Sequence, residues 1–281
     1  MNDAESKVIN YYNHCYRNYR TYWKTDRNLS IHYGFYDTNH TTHDDAVVNM
    51  NRVLATIANI KSEDYVLDVG CGIGGSVIWL AKNLGAQACG INIHAMQIKI
   101  AEEAARKNNV ANLAQFSVRN FLKTGFPNET FDVVWDLESI CHTEHKRDFV
   151  LEARRVLKEG GRLIIADYFL KSKNFSEGEK RHLDRWFDGW AIPNLITKEE
   201  LQIYLRELGF KKILFKEITE NVTPSSIRMF IPSSLVYPFV SLLKLTGIRT
   251  ETQIKHIIAS YCQYRALKKD LWLHGIFYAE K

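Results

Sequence analysis

Cysteine is scarce in this chain of 281 residues and follows no disulfide or metal-binding pattern. The cysteines are widely spaced, odd in number and without any C-x-x-C pair; they are Cys15, Cys71, Cys89, Cys141 and Cys262. This arrangement argues against a disulfide framework and against a zinc knuckle. We therefore expect a protein of a reducing compartment, and the cytoplasm is the predicted location.

Long apolar runs are missing as well. Residues Met229–Leu243 form the longest uncharged stretch, which has 15 residues and contains Pro232 and Pro238. A bilayer-spanning helix needs about 20 apolar residues, and proline interrupts helices, so no transmembrane segment is expected. The N-terminal residues are polar and charged and lack the apolar core of a secretory signal.

Basic residues are scattered and form no stripe. The net charge is +5, and lysines pair only briefly, as at Lys211-Lys212. A nucleic-acid partner would require a concentrated basic surface, so we expect a small-molecule partner instead, with a homo-oligomer possible. The chain is 46% apolar and has no internal repeat or Gly/Ser linker. A single domain over residues 1–281 is therefore predicted.

A glycine cluster follows a short apolar strand near residue 70. Residues 65–69 have the length and β-branched content of a strand, and an apolar helical pattern begins at Val77. Gly70, Gly72 and Gly74 lie between them, and glycine lets the backbone approach a ligand closely beside a helix N-terminus. No lysine follows the glycines, so the sequence does not fit the pattern of a phosphate-binding P-loop. The pattern predicts a site for a nucleotide-like cofactor.

Strand and helix patterns alternate along the rest of the chain. Further strands are expected at 86–93, 114–118, 131–135, 162–166, 210–218 and 271–280. A helix over 146–158 is expected to end at Gly160-Gly161, and Thr197 with Glu200 has capping-box spacing. This alternation predicts an α/β, doubly wound sheet. We divide the chain into a helical lid (1–60), a core (61–220), a helical cap (221–270) and a last strand (271–281).

Polar residues stand where the expected strands end. Asn92 occupies the position at which nucleotide-binding folds place an acid for the ribose, and Asn120 follows the third strand. Asp136, Glu138 and His142 follow the fourth strand. Because ligands bind outside the carboxyl ends of strands in open α/β sheets, this edge is the expected site of chemistry.

Several motifs resemble those of the class I S-adenosylmethionine (SAM) dependent methyltransferases. Asp68-Val-Gly-Cys-Gly-Ile-Gly74 is similar to their first motif, and Leu157-Lys-Glu-Gly-Gly-Arg-Leu163 precedes a strand as it does in that family. Segments 90–97 and 138–142 resemble the tocopherol and sterol C-methyltransferase group, as does the aromatic segment Ile31–Asp37. The resemblance implies a seven-stranded Rossmann-like sheet whose last strand is antiparallel.

The same resemblance implies a SAM site that leaves S-adenosylhomocysteine (SAH) after transfer. The cofactor residues that it implies are Tyr33, Asp68, Gly70, Cys71, Gly72, Gly74, Asn92, Ile93, Gln97, Asn120, Phe121 and Asp136. His32, Tyr36 and Trp186 are candidates for the substrate side. At Asn92 and Asn120 the chain carries amides where family members usually carry acids.

Glu138 and His142 are the candidate catalytic residues. They lie four residues apart, so on a helix both side chains would share one face. Methylation of an alkene or phenolic ring carbon requires a base to take up a proton, and either side chain qualifies. The first hypothesis is therefore a C-methyltransferase for a prenyl-like or aromatic acceptor. N- or O-methylation of a small metabolite is the alternative, and RNA methylation is disfavoured by the scattered charge. His142 and His145 lack a third ligand at suitable spacing, so no metal is expected.

Two apolar regions flank the core. Tyrosines of residues 5–24 fall along one face of a predicted helix, and residues 229–243 are more apolar than a surface loop requires. Both patterns are compatible with core packing and with a substrate pocket.

Overall fold

The computed structural model describes residues 3–247 and 249–281. Met1 and Asn2 of the expected lid and Ile248 of the expected cap lie outside the described residues.

One sheet forms the centre of the part of the chain that the structure describes. Its strands are β1 (Tyr65–Val69), β2 (Gln87–Asn92), β3 (Ala114–Val118), β4 (Phe131–Leu137), β5 (Leu157–Leu170), β6 (Lys211–Glu217) and β7 (Trp272–Glu280). Their order is β3-β2-β1-β4-β5-β7-β6. Strands β1 to β5 pair in parallel, and β7 is antiparallel to both β5 and β6. The predicted α/β, Rossmann-like sheet of seven strands is thus confirmed.

Helices cover both faces of the sheet. They are α1 (Asp3–Asn18), α2 (Thr25–Asn28), α3 (His43–Ile57), α4 (Gly75–Leu84), α5 (Ala95–Lys107), α6 (Lys146–Val156), α7 (Glu177–Trp190), α8 (Lys198–Glu207), α9 (Thr219–Val236), α10 (Val240–Thr246) and α11 (Glu251–Lys268). A π-helical turn spans Tyr19–Trp23, and 3₁₀ turns span Ile140–His142 and Tyr237–Phe239.

The apolar residues of β1 divide between two hydrophobic clusters. Val66 packs in one cluster, whereas Leu67 and Val69 pack in the other. Successive side chains of a strand point to opposite faces, and a parallel sheet is buried on both. The continuous apolar run that predicted β1 therefore reflects two layers of helices.

The boundary between α6 and β5 differs from the prediction. The helix ends at Val156, and the buried Leu157 is already extended and pairs with Phe131. A register shift follows, so that Gly160, at φ 74°, turns the chain within the strand instead of closing the helix. By contrast, the capping box of Thr197 and Glu200 is present at the start of α8.

The expected cap is helical, and α11 packs tightly against α7. A Cβ atom on Gly189 of α7 would lie 2.2 Å from the carbonyl oxygen of Lys255 and 2.6 Å from Cβ of Ala259. Glycine thus allows the two helix backbones to approach, which fixes the cap beside the end of β5.

Replacing Gly189 by Ala is expected to destabilise the protein by about 1–3 kcal/mol or more, because overpacking forces the helices apart. Gly178, in the first turn of the same helix, is the matched control, since its Cβ would approach only an Arg181 side-chain atom at 3.7 Å. Gly178→Ala should be neutral or slightly stabilising. Urea unfolding of both variants measures the difference, and equal midpoints would contradict the packing argument.

A longer apolar helical segment forms than the sequence predicts. The α9 helix, the 3₁₀ turn and α10 run together, and Thr219–Leu245 is long and apolar enough by length and composition to cross a membrane. Only 17% of its apolar window is buried inside the protein. The segment is longer than the uncharged stretch 229–243, because Pro232 is accommodated within α9 and Pro238 within the 3₁₀ turn.

Candidate functional site

A cavity of about 760 Å³ opens at the carboxyl ends of β1, β2 and β4. The glycine turn after β1 and the loops after β2, β3 and β4 form one side of it. Helix α1, residues 29–33 and the end of α7 form the other side. The cavity thus lies at the edge of the sheet where open α/β folds bind their ligands.

The glycines after β1 have different surroundings. At Gly72, with φ 52°, a Cβ atom would face the cavity and meet only Ile31 at 3.8 Å. A Cβ on Gly70 would lie 2.4 Å from that of Ser139, so this glycine permits contact with the loop after β4. Gly74 is the N-cap of α4, packs near Ala101 and lies outside the cavity lining.

Asp68 places a buried carboxyl group in the cavity wall. Its side chain is 3% exposed and accepts no hydrogen bond from the residues that the structure describes. Burial raises its pKa to about 8. The group is therefore mainly protonated at neutral pH, and a cation beside it would favour the carboxylate.

Two amides, one at the end of β2 and one in α5, form a pair at the cavity. Asn92 Nδ2 donates to Gln97 Oε1 at 2.7 Å, and Asn92 Oδ1 accepts from the backbone of His94 at 3.0 Å. Gln97 Nε2 is buried and lacks a hydrogen-bond partner among the described residues. Ile93 lines the cavity beside them. The pair thus presents a donor that a hydroxyl-bearing ligand would satisfy.

A carboxylate from the N-terminal helix reaches the end of β3. Asn120 Nδ2 donates to Glu5 Oε1 at 2.8 Å, and Asn120 Oδ1 accepts from the backbone of Leu122 at 2.7 Å. Phe121 lines the cavity at the same loop. Sequence reasoning identified the missing acid at position 120 but not Glu5, which lies 115 residues away in the chain.

Glu138 lies directly after β4, and both oxygens of its carboxylate accept hydrogen bonds. Oε1 accepts from the backbone of Tyr33 at 2.9 Å and from His274 Nε2 at 3.0 Å, and Oε2 accepts from Tyr168 Oη at 2.5 Å. Burial alone would raise the pKa of Glu138, but His274, His32 and Tyr168 stabilise the charged form and bring its pKa below the ordinary value. The cavity wall therefore carries an ionised carboxylate.

His142 has separate partners. Its Nδ1 donates to the carbonyl of Ala191 at 3.1 Å, and its Nε2 accepts from Tyr12 Oη at 3.1 Å. Burial lowers the pKa of His142 to about 4, so the ring is neutral. The expected common helical face with Glu138 is wrong, because Glu138 has φ 54° and precedes the short 3₁₀ turn that carries His142.

Aromatic rings surround the Glu138 carboxylate. Tyr33 and Tyr168 meet edge to face at 5.7 Å between ring centroids, and each also contacts Trp190. His32 lines the same side, with Nδ1 donating to the carbonyl of Tyr33 at 2.9 Å. Burial lowers the pKa of His32. The wall combines apolar ring faces with one buried negative charge.

Three further residues proposed from the sequence lie outside the cavity lining. Asp136 is fully buried and accepts from Ser139 Oγ and from the backbone of Ile140, which fixes the loop after β4. Trp186 is fully buried behind Tyr168. Tyr36 Oη lies 3.4 Å from His43 Nδ1 at α3. None of these three side chains therefore reaches the cavity.

Among residues 3–247 and 249–281, no group of three or more His, Cys, Asp or Glu side chains is placed to hold a metal ion. His145 Nδ1 lies 3.6 Å from Asp148 Oδ2 at the start of α6, and its side chain is 63% exposed.

A family model described as a methyltransferase domain matches residues 67–165. The chain is also 30% identical over 196 residues to the O-methyltransferase resE of Aspergillus sclerotiorum, an alignment that covers 69% of this chain and 73% of that protein. The chain belongs to the SAM-dependent methyltransferases. SAM is accordingly its cofactor.

A second relative of this methyltransferase bears out the resemblance to the tocopherol group. This chain is 29% identical over 270 residues to the chloroplastic tocopherol O-methyltransferase of Arabidopsis thaliana, in an alignment that covers 89% of this chain and 76% of that protein. That relative's name assigns it an O-methylation, so family membership does not fix the acceptor atom.

Solved structures show the same fold. The methyltransferase matches the [4+2]-cyclase SpnF with a TM-score of 0.79 at 21% identity, covering 100% of this chain and 97% of that one. It matches geranyl diphosphate C-methyltransferase from Streptomyces coelicolor A3(2), in complex with SAH, with a TM-score of 0.74 at 16% identity and coverages of 100% and 98%. At these identities the likeness concerns the fold alone.

Proposed function

We propose that this methyltransferase acts on a small, largely apolar acceptor, at a carbon of a prenyl-type chain or an aromatic ring. The observation that carries the proposal is the ionised Glu138 carboxylate, held within an aromatic wall of the cavity.

The cavity residues fit SAM. The space in front of Gly72 accepts a ligand close to the backbone, and the unpartnered Asp68 carboxyl suits the ammonium group of the cofactor. The Gln97 amide, oriented by Asn92, suits a ribose hydroxyl. When bound, SAM supplies an electrophilic methyl group. The side chains around it hold the acceptor and exclude water.

The base strength available at Glu138 favours carbon as the acceptor atom. An acceptor methylated at an unsaturated carbon carries positive charge and an acidic proton, so an ionised carboxylate of low pKa suffices to take the proton up. A neutral alcohol would require a stronger base, and His142 does not provide one, because burial lowers its pKa to about 4. Tyr33 and Tyr168 can stabilise positive charge through their ring faces.

N-methylation of an apolar amine is a second candidate, favoured by the charges of the lining. Asp3 and Asp188 are paired with Lys7 and Lys255, respectively. Glu138, Glu5 and Glu144 also line the cavity, and they leave it with an acidic excess among the described residues. Such a lining attracts a cationic acceptor. A diphosphate-bearing acceptor would be repelled by it.

We further propose that Glu5 supplies the acid that Asn120 lacks, as an acceptor for the adenine amino group. Glu5→Gln is then expected to weaken SAH binding by about 10-fold, since hydrogen bonds to charged groups contribute about 1.5–3 kcal/mol. Isothermal titration with SAH measures this directly. Asp3→Asn removes the same charge from α1, where Asp3 pairs with Lys7 at 3.1 Å, and serves as control. Equal losses in both variants would contradict a specific role for Glu5.

We also propose a division of the chain and a cellular location for the protein. We keep residues 1–60 as a lid, because α1 contributes Glu5 and Tyr12 to the cavity, and residues 221–270 as a cap, because Met229 and Lys255 line it. The core covers 61–220 and the last strand 271–281. The cysteines are free and buried, which suits a reducing compartment such as the cytoplasm.

A further inference from the structure

A row of large apolar side chains is exposed along α9 and α10. We define the apolar stripe by its residues, which are 55–85% exposed: Ile231, Leu235, Phe239, Leu242 and Leu245. They account for half of the ten large hydrophobic residues that are exposed in the described chain. Elsewhere such residues are scattered, as monomeric proteins commonly show.

The stripe lies on one face of a helical segment. Its residues follow each other at intervals of four, four, three and three, which is the spacing of neighbours on a helix surface. The first turns of α9, which precede the stripe, are fixed to the protein through hydrogen bonds. Ser225 Oγ accepts from the backbone of Gly34 at 3.0 Å, and Ser226 Oγ donates to Gln263 Oε1 at 2.5 Å. Further along, the Tyr237 ring stacks on a tyrosine of α11 with ring centroids 4.1 Å apart. This segment therefore lies along the surface and is not free to cross a bilayer.

Basic residues accompany the stripe. Residues 221–250 contain Arg228, Lys244 and Arg249 and no Asp or Glu. Lys244 and Arg249 are exposed at the C-terminal end of the stripe. Glu251 and Asp188, which line a small cavity together with Lys244, both pair with Lys255. An apolar face bordered by basic residues is typical of helices that lie in the interface of anionic membranes.

We propose that the apolar stripe seats this protein on the surface of an anionic lipid bilayer. Charge favours this occupant over a second copy of the chain, because residues 221–250 carry basic residues and no Asp or Glu, so the same segment of a second copy offers no acid to pair with them, whereas anionic headgroups do. The inference uses the stripe alone and stands independently of the catalytic assignment.

The position of the stripe relates it to the active cavity. A smaller cavity beside α10 is lined by Tyr237, Val240 and Lys244, and also by Asp188 and Lys255. The last two residues line the main cavity as well. A bilayer under the stripe would thus stand next to the cavity, where an apolar acceptor dissolved in lipid is concentrated.

Flotation of the full-length protein with vesicles tests the proposal. Vesicles of phosphatidylcholine are compared with vesicles that contain phosphatidylglycerol in addition. The stripe variant is Leu235→Ser, Phe239→Ser and Leu242→Ser together. The control variant is Leu151→Ser, Ile203→Ser and Leu214→Ser, whose targets are 48–62% exposed on other elements.

Wild type and control variant are expected to float with the anionic vesicles. The stripe variant is expected to bind at least about tenfold more weakly, because it lacks three apolar side chains that the bilayer would bury. Lys244→Gln with Arg249→Gln should weaken binding to anionic vesicles but not change binding to neutral ones. Equal flotation of stripe variant and wild type would overturn the proposal. The proposal would also be overturned if the wild type floated with neither kind of vesicle, for example because it forms a dimer through the stripe that is lost in the stripe variant.

Discussion

Replacing Glu138 by Gln is expected to lower turnover by about 10²–10⁴-fold, the usual contribution of a positioned acid or base, while SAH affinity changes little. The amide keeps the shape of the carboxylate and can still accept from the backbone of Tyr33, but it cannot take up a proton. Tyr168 can rotate its hydroxyl to accept from the new amide. Methyl transfer to an apolar phenol or prenyl compound, together with calorimetric titration of SAH, measures the two quantities separately.

Glu144 provides the matched control, because it also lines the cavity and is exposed. Glu144→Gln should leave turnover close to that of wild type, because the charge of an exposed carboxylate is largely screened by solvent. A mild effect of Glu138→Gln would favour the amine acceptor, which requires little base catalysis. A loss of SAH affinity as large as the loss of turnover would instead assign Glu138 to structure.

Replacing Asp68 by Asn is expected to weaken SAH binding by about 10–100-fold and to remove its pH dependence, since a charge-assisted bond is lost. In the free protein Asp68 has a pKa of about 8 because it is buried. A bound ammonium lowers that pKa, so binding releases a proton. Wild-type affinity therefore rises as pH increases toward about 8, by at most about tenfold per pH unit, while the ligand remains protonated.

Titrations at pH 6.5, 7.5 and 8.5 in buffers of different ionisation enthalpy would report this proton. Asp45→Asn, at an exposed helix start, is a suitable control for the loss of one carboxylate. Wild-type SAH affinity that is independent of pH, with no proton released, would show that Asp68 does not meet the ammonium group.

The features predicted correctly from sequence are local ones. The strand, glycine turn and helix at residues 65–84 are encoded by neighbouring residues, as is the capping box at Thr197. The same local reasoning treated the glycines of the motif as equivalent. Gly74 differs because it lies where α4 packs near Ala101, which requires the neighbouring elements to be known.

The network around Glu138 could not be read from the sequence. His274 lies 136 residues from Glu138, on a strand whose pairing with β5 is antiparallel, and Tyr168 lies 30 residues from it. Only the sheet order brings these side chains together. Tyr168 lies near the carboxyl end of β5, where ligand-binding residues are expected, and this position is a signal that the sequence provides. No motif marks His274. Likewise, the contact of Glu5 with Asn120 depends on how α1 folds back.

Calorimetric titration of the full-length protein with SAH, alone and with apolar phenols or prenyl compounds added, measures whether the cavity binds the cofactor beside an apolar acceptor. We expect saturable binding at one site, and tighter binding when an added compound occupies the acceptor side of the cavity. Absence of SAH binding under every condition would contradict it, because the glycine turn, Asp68 and Gln97 would then serve another ligand.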